Sequence, residues 1–207
     1  MNDGKKQIWN VPNQLSAARL LLSIVVFVLI PLQLNWAALI VFIIAAGTDW
    51  VDGWYARKYN LVTQLGRILD PFCDKILICG AFILLAVEMR VHGFPWYCGI
   101  SGWLAVIVVG RELLVTVLRS LVEGSGGDFS AKMAGKVKMW FQCIAVGACL
   151  VAIEMVQASP DGEGIMLPSW LWWTVFVSVW GAIVSTIHSG LLYVFSAANQ
   201  LVTDPAN

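Results

Sequence analysis

Charge is what this sequence has least of. Only 13% of its 207 residues are charged against 59% hydrophobic, and the mean hydropathy is +0.77, which excludes an ordinary soluble domain and reads as a membrane protein. Histidine is nearly absent: His92 reads as a loop residue and His188 as a helix-packing residue. The five cysteines, Cys73, Cys79, Cys98, Cys143 and Cys149, fall mostly in apolar stretches, show no paired metal spacing, and read as buried, reduced thiols. Long linkers, low-complexity tracts and internal repeats are also lacking, and the only glycine-rich patch is 123–128. The chain therefore reads as a single membrane domain, 1–207, whose longest polar outer loop is 159–168.

Apolar stretches run over 15–32, 36–47, 76–87, 96–122, 137–156 and 167–197, which fit six transmembrane helices in an all-α membrane protein. A hydrocarbon layer of about 30 Å needs ~20 helical residues, so 36–47 and 76–87 are too short alone. The available extensions are 48–57 after the first and 66–75 before the second, and both carry aspartates. Lys and Arg gather on one side: Lys5, Lys6 and Arg19 at the first span, Arg57, Lys58, Arg67 and Lys75 between the second and third, Arg119, Lys132, Lys136 and Lys138 between the fourth and fifth. The alternate connections pair Arg90 with Glu88 and hold Asp161 and Glu163, with no positive excess. By the positive-inside tendency both termini and the aspartate-bearing connection face the cytoplasm, in a multi-pass protein of the cytoplasmic membrane. The first apolar run, behind Pro12, Asn13 and Arg19 with no clean cleavage site, reads as a retained span and not a signal peptide. The eleven tryptophans read as an interfacial belt. A formal net charge of +0 conceals the segregation of bases; these suit membrane lipid headgroups and phosphate-bearing substrates, and no nucleic-acid partner is expected.

Into this background the sequence sets Asp49, Asp52, Gly53, Ala56, Arg57, Gly66, Asp70 and Asp74. On a helix Asp49, Asp52, Gly53 and Ala56 fall at i, i+3, i+4 and i+7 on one face, and Gly66, Asp70 and Asp74 repeat the arrangement at intervals of four. Pro71 suits the first turn of the third helix, with Asp70 as its cap. A lone aspartate at a helix end usually caps it or faces solvent. Four in this register, among small residues and an arginine, instead imply carboxylates that cannot all stay ionised at close range without cations between them. Oxygen-only donors favour Mg2+ or Mn2+, as a pair of ions, and Mg2+ sites commonly include substrate phosphate oxygens. Arg111 and Glu112 in the fourth span read equally well as a structural ion pair.

The same positions match D-x2-D-G-x2-A-R-x8-G-x3-D-x3-D, the signature of the CDP-alcohol phosphotransferase family, which this chain resembles over about 10–195. Pro12-Asn13-Gln14-Leu15-Ser16-Ala17-Ala18-Arg19, the 69–75 segment around Asp70 and Asp74, Gly110-Arg111-Glu112 and Gly135-Lys136-Val137-Lys138 narrow the resemblance to the phosphatidylglycerophosphate synthase branch. The 124–130 segment and a tail without basic residues depart from that pattern. The resemblance implies transfer of the phosphatidyl group of CDP-diacylglycerol to sn-glycerol 3-phosphate, giving phosphatidylglycerol phosphate and CMP. It assigns Asp49, Asp52, Asp70 and Asp74 to the metals, with Asp74 also the general base, and Asn13, Gly53, Ala56, Arg57, Thr63 and Gly66 to CDP-diacylglycerol. Arg111, Arg119, Lys136 and Lys138 fall to the acceptor phosphate, and the family's habit implies a homodimer.

Two rival readings bear on the same residues. Inositol phosphate or phosphatidylglycerol as acceptor would keep the chemistry, and a lipid acceptor would need no pocket for a small phosphate. A divalent-cation transporter would place acids near the bilayer midplane within an inverted repeat, whereas here they sit at one end and the second half has no matching cluster.

Overall fold

The computed structural model describes residues 11–59, 64–124, 133–158 and 167–203, with the side chains of 11–13, 15–16, 49–71, 74, 123–124, 133–134 and 199–203 outside the described set. It is all-helical, with α1 (Val11–Leu29), α2 (Asn35–Tyr59), α3 (Gln64–Val91), α4 (Gly102–Gly124), α5 (Met133–Gln157) and α6 (Ser169–Thr203). Two units divide the chain at Leu84, Met1–Leu84 and Leu85–Asn207, and α3 runs through the division. Among the described residues two segments are long and apolar enough to cross a membrane, Gly135–Gln157 and Ser169–Ala198, with hydropathies of 1.9 and 1.7; Ala17–Leu29 and Asn35–Thr48 are shorter apolar helices.

In Met1–Leu84, α1 and α2 pack as a hairpin. Gln33 makes the reversal at φ 59°, Leu34 N–H donates to Leu29 O at 3.1 Å, and Asn35 Nδ2 donates to Gln33 O at 3.3 Å. Val26, Ile30, Ala38, Phe42 and Ala45 are buried, all at most 2% exposed. As the short apolar runs require, α2 continues without a break from Asn35 through the 48–57 segment and α3 begins upstream of 66–75. One expectation fails here. Because α3 opens at Gln64, Pro71 is its eighth residue, past the second turn, and Asp70 is a residue within the helix, not its cap. Proline's lost N–H is tolerated most easily in the first turn, which made the earlier start invisible from residue type.

In Leu85–Asn207 the apolar run 96–122 is only partly helical. Gly99 at φ 108° follows Pro95 and breaks it, so 96–101 forms a connection and α4 starts at Gly102. Met89 anchors that connection, its Sδ accepting from Ile100 N–H at 3.2 Å. Cys98 is buried there, and burial pushes its thiol pKa up; all five cysteines are free thiols as expected, but only Cys73, Cys98 and Cys149 are buried, Cys79 and Cys143 being half-buried. Nearby, Gln157 Nε2 lies 2.9 Å from His92 Nε2, while His92 Nδ1 lies 2.8 Å from Glu88 O; if Gln157 donates, His92 carries its proton on Nδ1. α6 packs against both α4 and α5. His188 is exposed, not packed between helices; its neighbour Ser189 is 0% exposed, and a residue is turned by about 100° from the next.

Helices α5 and α6 approach closely at Gly181, where an added Cβ would lie 2.6 Å from Cδ1 and Cε1 of Phe141 and 3.2 Å from its Cγ. Gly181→Ala gains about 1 kcal/mol of helix propensity but overpacks this contact at roughly 1–3 kcal/mol. Thermal unfolding in detergent is expected to show a lower Tm, partly restored by adding Phe141→Leu; an unchanged or raised Tm would contradict the contact.

Candidate active site

The signature residues lie on two helices. Asp49, Asp52, Gly53, Ala56 and Arg57 are in the second half of α2, and Gly66, Asp70 and Asp74 are in the first half of α3. Continuous helix through each pair keeps Asp49 and Asp52 one turn apart on α2, and Asp70 and Asp74 one turn apart on α3. Their side chains, and those of Asn13 on α1 and Thr63 before α3, lie outside the described residues. The nearest described polar contact adjoins Asp49: Arg19, 1% exposed, brings its Nε to 3.4 Å from Thr48 Oγ1, and Thr48 Oγ1 itself donates to Ala45 O at 2.7 Å. A guanidinium buried that completely in apolar helices calls for anionic company. Among the described residues no cluster of three or more His, Cys, Asp or Glu forms a metal site.

The expected acceptor-phosphate residues are fully described on α4 and within α5, and they do not behave alike. Arg111 and Lys138 come together around Glu112. Arg111 Nη1 is 3.3 Å from Glu112 Oε1 and 3.4 Å from Oε2, and Lys138 Nζ donates to Glu112 Oε1. Lys138 is 6% exposed although its neighbours Lys136 and Val137 are exposed, because on α5 it shares a face with Gln142, whose Nε2 donates to Thr186 Oγ1 of α6 at 3.3 Å. Arg119 is half-buried and its Nε is buried without a hydrogen-bond partner, as is Nε of Arg111.

Helix α6 supplies the residues that sequence reading missed. Arg111 Nη2 donates to Ser189 Oγ at 3.0 Å, and the guanidinium carbon sits 5.4 Å from the Tyr193 ring centroid, within cation–π range. Gly190 makes room between them: a Cβ there would come 3.2 Å from Arg111 Cγ. Tyr193 packs in turn with Val115, Val122 and Ala197. The signal available in the sequence was the spacing Thr186, Ser189, Gly190, Tyr193, a polar and small stripe on one face of an otherwise apolar span. A guanidinium and an ammonium meet at Glu112, and Nε of Arg111 remains a donor without a partner, chemistry suited to an anion.

The CDP-alcohol phosphatidyltransferase family model matches residues 9–187. Relatives named CDP-diacylglycerol--glycerol-3-phosphate 3-phosphatidyltransferase share 37% identity over 159 residues in Bacillus subtilis (70% of this chain, 78% of the relative). Those of Pseudomonas fluorescens share 31% over 202 residues (94% and 93%), and of Escherichia coli K12 33% over 143 residues (67% and 75%). With the signature intact on α2 and α3 and the match running over nearly the whole chain, this protein belongs to the CDP-alcohol phosphatidyltransferase family.

Proposed function

We propose that this protein transfers the phosphatidyl group of CDP-diacylglycerol to the 1-hydroxyl of sn-glycerol 3-phosphate, releasing CMP and forming phosphatidylglycerol phosphate in glycerophospholipid biosynthesis. The observation that carries the reading is the complete eight-position signature on two continuous helices of a family member. The relatives named for glycerol 3-phosphate favour that acceptor over inositol phosphate or phosphatidylglycerol. Arg111 and Lys138, with side chains 10% and 8% exposed, support it too, because a lipid acceptor would give them no small phosphate to meet.

Four aspartates spaced one turn apart on each of two helices are a hard, oxygen-only donor set, which fits Mg2+ or Mn2+. Asp49, Asp52, Asp70 and Asp74 would hold two such ions, which when bound polarise the diphosphate and neutralise charge on the departing CMP. Asp74 takes the proton of the acceptor hydroxyl; the hydroxyl oxygen bonds to the phosphorus that carries diacylglycerol, and the bond from that phosphorus to CMP breaks. Gly53, Ala56 and Gly66 admit the nucleotide closely, Arg57 pairs with the diphosphate, and Asn13 and Thr63 donate hydrogen bonds to the nucleotide. Arg111, Arg119 and Lys138 take the acceptor's phosphate, with exposed Lys136 adding to the local field.

The same reading makes residues 1–207 one domain of six spans, with both termini and the site toward the cytoplasm. It rests on the segregated Lys and Arg residues. Homodimer formation rests on the family resemblance.

Mass spectrometry of the lipid made by purified protein from CDP-diacylglycerol and glycerol 3-phosphate should find phosphatidylglycerol phosphate, and excess chelator should abolish it until Mg2+ is restored; undiminished product in chelator would remove the metals. Asp74→Asn should lower kcat at least about 100-fold, the lower range for a general base, with CDP-diacylglycerol still bound; a wild-type rate would rule Asp74 out as base. In a cysteine-free background, a single cysteine in 159–166 should react with an impermeant thiol reagent from outside intact cells and one in 204–207 should not. The reverse pattern would invert the topology.

A further inference from the structure

Two side chains of α6 carry no role in the reaction as proposed, although both are turned to Arg111. Ser189 and Tyr193 lie one turn apart, 0% and 6% exposed. Arg111 Nη2 donates to Ser189 Oγ at 3.0 Å, closer than the 3.3 and 3.4 Å from Nη1 to the two oxygens of Glu112. The Ser189 hydroxyl gives its one proton to Thr186 O at 3.1 Å, so toward the guanidinium it presents only lone pairs. The Tyr193 ring lies 5.4 Å from the guanidinium carbon, and Gly190 leaves the room for Arg111 to reach both.

Glu112 alone would not fix this geometry. It follows Arg111 directly, and adjacent helical residues are turned about 100° apart, so its pull on Nη1 runs around α4 and not toward α6. Ser189 holds the other terminal nitrogen from a second helix. A guanidinium is planar: with each Nη held and a ring beside it, the direction of Nε–H follows. That donor is buried without a hydrogen-bond partner, an expense on a charged group that a contact serving stability alone would avoid. Nor do α4 and α6 need a charge to join them, since Tyr193 already packs with Val115 and Val122. The clamp on Arg111 therefore answers a need other than helix packing.

We propose that Ser189 is a positioning residue for the acceptor: its hydroxyl oxygen holds Arg111 Nη2 so that the guanidinium meets the phosphate of glycerol 3-phosphate in one fixed orientation. The proposal rests on the acceptor reading given above for Arg111. What Ser189 contributes is preorganisation, because an arginine already immobilised gives up little rotamer freedom when the phosphate arrives.

Steady-state kinetics of the full-length enzyme in detergent test this, with KM measured for each substrate and Tm alongside. Ser189→Ala should raise KM for glycerol 3-phosphate about tenfold, the scale of one hydrogen bond to a charged group, and leave KM for CDP-diacylglycerol within about twofold. Ser189→Thr, which keeps the hydroxyl, should recover much of the loss. A Ser189→Ala enzyme with a lowered Tm but wild-type KM for glycerol 3-phosphate would overturn the proposal in favour of a purely structural hydrogen bond. Equal rises in both KM values, or a Ser189→Thr enzyme of wild-type Tm no better than Ser189→Ala, would overturn it too. If Ser189→Ala does not fold, Ser189→Cys carries the test, sulfur being a weak acceptor: a raised KM for glycerol 3-phosphate supports the proposal and a wild-type value overturns it. In an Arg111→Gln background Ser189→Ala should add less than about twofold, because the hydroxyl then has no guanidinium to hold; a second full increase would overturn the proposal. Arg111→Gln by itself separates the two levels. If it leaves KM for glycerol 3-phosphate unchanged, the acceptor site is wrongly placed; if it raises that KM while Ser189→Ala does not, only the role of Ser189 falls.

Discussion

An ionised side chain among apolar helices has few stable arrangements: it must be paired, reach water, or meet a ligand of opposite charge. The bond from Lys138 on α5 to Glu112 on α4 is one such pairing, and the organisation of Leu85–Asn207 follows from it. It sets the rotation of α5, so that Lys138 and Gln142 face inward while Lys136 and Trp140 face out. It leaves Arg111 to seek partners on α6, where Ser189 and Tyr193 supply a hydroxyl and an aromatic face and Gly190 leaves the space. The apolar contacts of Val115, Val122, Tyr193 and Ala197 lie along the same two helices. Hydrophobic packing alone would not specify that register, because lipid tails offer the outward apolar residues an equally good environment.

The same constraint operates in Met1–Leu84 through Arg19. Apart from Asp3, the acids of that unit are the four aspartates of the signature, and the Arg19 side chain reaches Thr48, immediately before Asp49. Both units thus combine apolar packing with a few ionisable groups drawn to particular helix faces. For the reaction proposed, which joins a nucleotide diphosphate lipid to a phosphorylated alcohol, that economy would be chemically apt: cations to take the acceptor's phosphate, and carboxylates to hold divalent metals beside the diphosphate.

Much of this was legible before any coordinates. The signature is a matter of spacing, and spacing survives as a face once the segment is helical, as α2 and α3 are. The length argument that joins 36–47 to the acidic segment takes membrane thickness as its ruler, and α2 does run as one helix through both. What stayed hidden depended on contacts between distant residues or on a single backbone angle. Gly99 ended the apolar run before α4 through its positive φ, which hydropathy does not register. Pro71 gave a false start for α3 because residue type cannot reveal that the helix already existed upstream. His188 reads from the sequence as a packing residue, yet the inward position on that turn belongs to Ser189. Arg111 and Glu112 looked like a self-contained pair because Lys138 lies 26 residues away in sequence.

The central claim is that this buried charge exists to recognise a phosphorylated alcohol. CMP release by purified protein with CDP-diacylglycerol and Mg2+ should therefore be followed while the acceptor alone is varied among glycerol 3-phosphate, glycerol, inositol phosphate and phosphatidylglycerol. The account predicts release with glycerol 3-phosphate and near-background rates with the other three. Equal release with unphosphorylated glycerol, or release with phosphatidylglycerol in place of glycerol 3-phosphate, would contradict it.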